Sequence, residues 1–125
     1  MPGTTFDVEV IEAGRGTAIR FPKGGTVFTE GERADCAYIV KRGRVELRQA
    51  DRAVDTIVPG EIFGHTALID EEPRDASAIA VGDAEVVAIE GPIFRELLRD
   101  DSDFALAVMR LTARHLRAAM KLVAA

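Results

Sequence analysis

The sequence predicts a mainly β fold, a sandwich or barrel of short strands over about residues 15–90, followed by two C-terminal helices over about 91–125. Three observations carry that prediction. Between residues 17 and 90, short runs rich in Val, Ile, Phe and Thr are punctuated by glycine-bearing turns. At Gly91-Pro92 the pattern changes to helical spacing, with Phe94, Leu97 and Leu98 on one side. From Asp103 onward apolar residues recur every three or four positions. At 125 residues the chain has the length of one domain, spanning 1–125.

Each element follows from its local pattern. The opening segment FDVEVIEAG is compatible with a strand or a short helix before Gly14. TAIRF then precedes the turn PKGG, and TVFTE precedes GERAD. AYIVKRGRVELRQA divides at Gly43 into two runs, with Val45 and Leu47 alternating after the glycine, which reads as a hairpin. AVDTIVPGEIFG is a strand ending at Pro59-Gly60, and DASAIAVGDAEVVAIE supplies two more around Gly82-Asp83. Asp101-Ser102-Asp103 offers a cap for the last helix, which runs from about Asp103 to the end.

Composition narrows the function. With 47% hydrophobic and 30% charged residues the chain can bury a core and stay soluble. A net charge of −5 argues against general nucleic-acid binding. Charge is uneven: from Asp103 onward Arg110, Arg114, Arg117 and Lys121 face one acid, a local +3 that leaves −8 for the body. The single cysteine, Cys36, excludes an intrachain disulfide and a zinc site of paired cysteines, and reads as a small buried hydrophobe rather than a nucleophile. The start is too polar for a signal peptide and no run is apolar enough to span a bilayer, so a cytoplasmic location without membrane insertion is expected.

The last helix carries two apolar stripes. Leu106, Met109, Ala113, Leu116, Met120 and Val123 form one; Phe104, Val108, Leu111, His115, Ala118 and Leu122 form the other, with the basic residues on the remaining face. A surface helix needs one stripe to pack on its own body. The second suggests a partner, most simply the same helix of a second copy, giving a homodimer, or else a separate effector protein. His115, inside a stripe, reads as a partly buried and hydrogen-bonded histidine.

The stretch FGHTALIDEEPRDASAIA, residues 63–80, has the character of an anion pocket. Arg74 is the only Lys or Arg between Arg52 and Arg95, and a guanidinium can grip two phosphate oxygens. Gly64 permits close backbone approach. HTALI can form a short helix whose first amides favour an anion. Thr66, Ala67, Asp75 and Ala76 are short enough to leave amides accessible. The competing reading of Arg74 is a salt bridge to Asp70, Glu71 or Glu72. An exposed pair of that kind contributes only about 0–1 kcal/mol, a weak reason to place an arginine there.

The order of these motifs resembles the cyclic nucleotide-binding domain family over about residues 15–120. The glycine-punctuated run FPKGGTVFTEGERADCAYIVKRGRVEL is similar to the family's first half, and PGEIFGHTALIDEEPRDASAIA to its phosphate-binding cassette, through Phe63, Gly64, His65, Ala67, Leu68, Pro73, Arg74, Asp75, Ala76 and Ser77. The resemblance implies a β-roll of jelly-roll type followed by two helices, with cyclic AMP or cyclic GMP as ligand and no other cofactor. It implies that the amides of Ala67 and Asp75 face the phosphate beside Arg74 and that Ser77 lies near the base. The basic face of the last helix could reach over the ligand, with Arg114 or Arg117 stacked on the base. His65 departs from the pattern: the family has a glutamate there, which accepts from the ribose 2′-hydroxyl. A charged acceptor is worth about 1.5–3 kcal/mol and a neutral one about 0.5–1.5. Histidine accepts only when neutral. Glu61 does not obviously compensate for the change.

Two functions follow from different weightings of these features. The first is a sensory module that binds a cyclic nucleotide and relays occupancy through the last helix. The second is a ligand-free module of the same fold that acts in dimerisation or protein interaction, supported by His65 and the two-striped helix. An enzyme is not expected: His65 and His115 are too few for a metal-binding barrel centre, and no nucleophile–base pair stands out. With the sequence stopping at Ala125 directly after the long helix, direct DNA binding is not expected.

Overall fold

The computed structural model describes residues 6–124; the side chains of Leu122 and Ala124 and all of residues 1–5 and 125 are outside the described set. The elements are α1 (Val8–Arg15), β1 (Thr17–Phe21), β2 (Thr26–Phe28), β3 (Cys36–Arg42), β4 (Val45–Gln49), β5 (Arg52–Ile57), β6 (Ile62–Phe63), α2 (Thr66–Ile69), β7 (Ser77–Ala80), β8 (Ala84–Glu90), α3 (Gly91–Asp100) and α4 (Ser102–Ala124). The opening segment is a helix, not a strand. Asp7 decides it, because its carboxylate accepts from the Val10 N–H and caps the first turn. The helix passes Gly14 and ends at Arg15.

The strands form two four-stranded antiparallel sheets, ordered β1-β8-β3-β6 and β2-β7-β4-β5. The two sheets make the jelly-roll-like body, and α3 and α4 follow. The hairpin expected across Gly43 does not form. β3 pairs with β6 and β8 in one sheet, while β4 pairs with β5 and β7 in the other. The turn at Gly43 therefore carries the chain between sheets. Its φ of +78° and a would-be Cβ 2.4 Å from the Asp83 carbonyl oxygen leave room only for glycine. Gly82-Asp83 makes the matching crossing from β7 to β8. The true hairpin is β4–β5, turning at Ala50 and Asp51, both left-handed with φ of 49° and 66°.

Strand alternation divides the core in two. On β3, Ala37 and Ile39 face α3 and α4, while Val40 faces the inside of the roll. On β8, Ile89 joins the first group and Val86 the second. The helix-side core is closed by Phe6, Phe94 and Phe104, with ring centroids 5.2 Å (Phe6–Phe104) and 5.9 Å (Phe94–Phe104) apart. The roll-side core holds Phe28, Val45, Ile57, Phe63 and Ala78. α4 starts from the predicted cap: Asp101 Oδ1 accepts from the Phe104 N–H at 3.0 Å. It lays Phe104, Ala107, Val108 and Leu111 on the body and leaves Leu106, Met109, Leu116, Met120 and Val123 exposed. Among the described residues no helix is long and apolar enough to cross a membrane.

Candidate functional site

The 63–80 stretch folds as β6, a turn at Gly64, the single turn α2, a loop and β7. It walls one side of a cavity of about 390 Å³ that opens beneath α4. Phe63, Gly64, His65, Thr66, Ala67, Arg74, Asp75 and Ala76 all line it. β4 and β5 add Gln49 and Asp55, and α4 adds His115, Ala118 and Ala119.

Arg74 is the centre of the wall. It is only 4% exposed. Nη1 donates to the Gly64 carbonyl at 2.5 Å and Nη2 to the Cys36 carbonyl at 2.7 Å, while Nε has no partner among the described residues. The guanidinium carbon lies 4.0 Å above the Phe28 ring, which Tyr38 and Phe63 flank in an aromatic cluster. Desolvation pushes its pKa down, against the opposing pull of Tyr38 and Asp35. The alternative salt bridge to Asp70, Glu71 or Glu72 does not form. Among the described residues no carboxylate lies within ion-pair distance of Arg74. Two carbonyl dipoles and an aromatic face solvate a buried charge only in part. Gly64 makes the approach possible: at φ +73°, any Cβ would lie 2.9 Å from both Arg74 Nη1 and Phe28 Cε2.

His65 is 2% exposed and precedes α2. Its Nε2 lies 2.7 Å from Thr112 Oγ1 on α4, and its Nδ1 is buried with no partner among the described residues. Burial first, and His115 second, lower its pKa to about 4, so the ring is neutral at ordinary pH. The N–H groups of Ala67 and Asp75 find no hydrogen-bond acceptor among the described residues.

Other expected contacts fall elsewhere. Ser77 does not line the cavity; its Oγ accepts from the Glu30 N–H at 2.9 Å. Strand alternation explains this, since Ala76, Ala78 and Ala80 occupy the buried face of that stretch. Arg114 and Arg117 are also off the cavity wall. Arg114 is ion-paired to the buried Glu61, and Arg117 is exposed. The helix turns His115, Ala118 and Ala119 inward instead. His115 is half-buried as expected, with Nε2 3.2 Å from Asp55 Oδ2. Cys36 is half-buried, and its thiol is pushed up by desolvation and by Asp35, the reverse of nucleophile activation. Among the described residues no group of three or more His, Cys, Asp or Glu could hold a metal ion.

Sequence reasoning missed Thr112, Asp55, Gln49 and the Glu61–Arg114 pair. Thr112 carried one signal, lying four residues after Val108 on the helix face that docks. The others come together only through pairing distant in sequence.

A roll of two antiparallel sheets, a buried arginine at the cassette and a helix across the opening define a β-roll domain with a cavity under its last helix. Residues 18–101 match the family described as the cyclic nucleotide-binding domain, and the chain belongs to it. It is similar to the cyclic AMP receptor protein of Thermus thermophilus, 35% identical over 104 residues, covering 79% of this chain and 48% of that protein. It is likewise similar to the CRP-like cAMP-activated global transcriptional regulator of Mycobacterium tuberculosis, 31% identical over 104 residues, covering 79% and 46%. Among solved structures, the catabolite activator protein of Thermus thermophilus superposes with a TM-score of 0.76 at 32% identity, covering 86% of this chain and 53% of that one. The chain spans just under half the length of the two curated relatives.

Proposed function

We propose that the chain is a sensory module whose cavity takes a cyclic nucleotide, with the phosphate against Arg74, and that α4 carries the response. The observation that bears most of the weight is the buried Arg74 guanidinium, held over Phe28 with no carboxylate partner among the described residues. An anion there would supply the missing countercharge, and a charge-assisted hydrogen bond contributes about 1.5–3 kcal/mol. The unused N–H groups of Ala67 and Asp75 add donors on the same wall. The relatives named as activated by, or as receptors for, cyclic AMP support the ligand class. With Ser77 turned away, the polar groups left to meet a base are Asp55, Gln49 and His115.

Calorimetric titration with cyclic AMP and cyclic GMP tests this. Arg74→Ala weakens binding by about 30-fold or more. His65→Glu strengthens it by about tenfold, by restoring a charged acceptor. No binding by the natural chain or by His65→Glu would sink the sensory reading.

The relay we propose runs through contacts of α4 with the cavity wall, His65–Thr112 and Asp55–His115. A ligand shifts α4 only by binding its two arrangements unequally. The exposed stripe Leu106, Met109, Leu116, Met120 and Val123 supports pairing with a second copy. It also favours the second reading, a ligand-free interaction module, which predicts a dimer indifferent to nucleotides. No DNA contact is proposed for these residues, given the net charge of −5.

A further inference from the structure

We infer that Thr112 is a positioning residue that sets the tautomer of His65 and so makes the cassette histidine an acceptor for a ligand hydroxyl. This rests on the cyclic-nucleotide reading and names the residue that lets a histidine stand where the family has a carboxylate.

The argument is a proton count. Thr112 Oγ1 lies 2.7 Å from the Val108 carbonyl, one turn back on the same helix, and 2.7 Å from His65 Nε2. A hydroxyl carries one proton. A carbonyl can only accept, so a contact that short with Val108 requires the threonine to donate to it. Oγ1 then meets His65 with a lone pair, and Nε2 must carry the imidazole proton. A neutral ring has one N–H, so Nδ1 is left as a bare acceptor. That atom is buried and has no partner. Leaving a buried acceptor unsatisfied costs about 1–3 kcal/mol, so the site discriminates in favour of a ligand that brings a donor to it.

The ring is part of the cavity wall, beside Gly64 and Thr66, on the same wall as Arg74. A ligand held by an anionic group at Arg74 and carrying a neighbouring hydroxyl fits both contacts. The ribose 2′-hydroxyl of a cyclic nucleotide is such a group. Nδ1 is screened from solvent, so a hydroxyl reaches it from the cavity side as the cassette wall adjusts. The Thr112 hydrogen bond, on the α4 side of the ring, stays in place and keeps the proton on Nε2. With threonine replaced by an isosteric apolar residue, nothing fixes which nitrogen is protonated, and the ring can place its proton on Nδ1.

Two measurements test this together. Imidazole nitrogen shifts are recorded by NMR in the free protein, with His115→Gln assigning the two rings. Calorimetry then compares cyclic AMP with its 2′-deoxy analogue on the wild type, Thr112→Val and Thr112→Ser. The expected result is a protonated Nε2 on His65 in the wild type and Thr112→Ser, with a preference for the 2′-hydroxyl of a few-fold to about tenfold. Thr112→Val loses the preference and the single tautomer but keeps binding through Arg74. A protonated Nδ1 in the wild type, or an undiminished preference in Thr112→Val, overturns the inference while leaving the proposed function standing. No cyclic nucleotide binding at all overturns both.

Discussion

The two halves of α4 are held by different physics. Its first half packs Phe104, Ala107, Val108 and Leu111 into the core under the sheet. Its second half is tied by polar contacts: Thr112 to His65, Arg114 to Glu61 and His115 to Asp55. Beyond these, Leu116, Met120 and Val123 are 60–87% exposed. Fully burying a leucine is worth about 1.5–3 kcal/mol, whereas an ion pair at the surface is worth about 0–1. The helix is thus anchored at one end and weakly tethered at the other, over the cavity. The weakly held end is the part of the helix that can rearrange without unfolding the rest.

The sharpest test of that contrast is a matched pair of truncations. Leu111→Ala lowers stability by about 2–5 kcal/mol in urea denaturation, because it opens a cavity in the helix-side core. Leu116→Ala changes it by no more than about 0.5 kcal/mol. A comparable loss from both would mean that the outer stripe is buried after all, against a second copy, and the loss would then depend on protein concentration.

The next largest effect is pH-dependent and belongs to the seam between cassette and helix. His65 has its folded pKa lowered to about 4 from 6.5. Its neutral burial is therefore unopposed above about pH 6.5. Below that, the unfolded chain takes up a proton that the folded one refuses until about pH 4. Stability falls across this window, by up to about 3 kcal/mol from this group. Urea midpoints at pH 7.5 and 4.5 for the wild type and His65→Gln isolate it, and equal slopes in both would break the assignment. Smallest is Arg114→Ala. With its side chain half exposed but its partner Glu61 buried, it costs about 1–2 kcal/mol globally. Hydrogen exchange should nonetheless quicken along residues 113–121 and stay unchanged along 104–111.

Much of this was legible in the sequence. The strands, the change to helix at Gly91-Pro92, the Asp101 cap and Arg74 as the cavity's cation all announce themselves within a few residues. What was not legible depends on long-range placement. Gly43 reads as a turn, but a turn between sheets and a turn within a hairpin share the same local chemistry. The actual hairpin turns on Ala50 and Asp51, without a glycine to mark it. The two stripes of α4 are equally apolar, so the sequence does not say which one docks. That choice sets the helix phase, and the phase puts His115 rather than Arg114 or Arg117 at the cavity.

The sheet order also has a consequence for how the chain is made. β1 pairs with β8, 63 to 71 residues later, and β2 with β7, 50 to 53 residues later. Neither sheet can close until residues 77–90 have left the ribosome, and until then the early strands present unpaired edges. Closing such long loops before any contact rewards them is slow. Assembly of this domain is therefore governed by its last strands, and the Arg74 cradle, which needs the Gly64 carbonyl from one sheet's edge and Phe28 from the other sheet, cannot form before those strands have emerged.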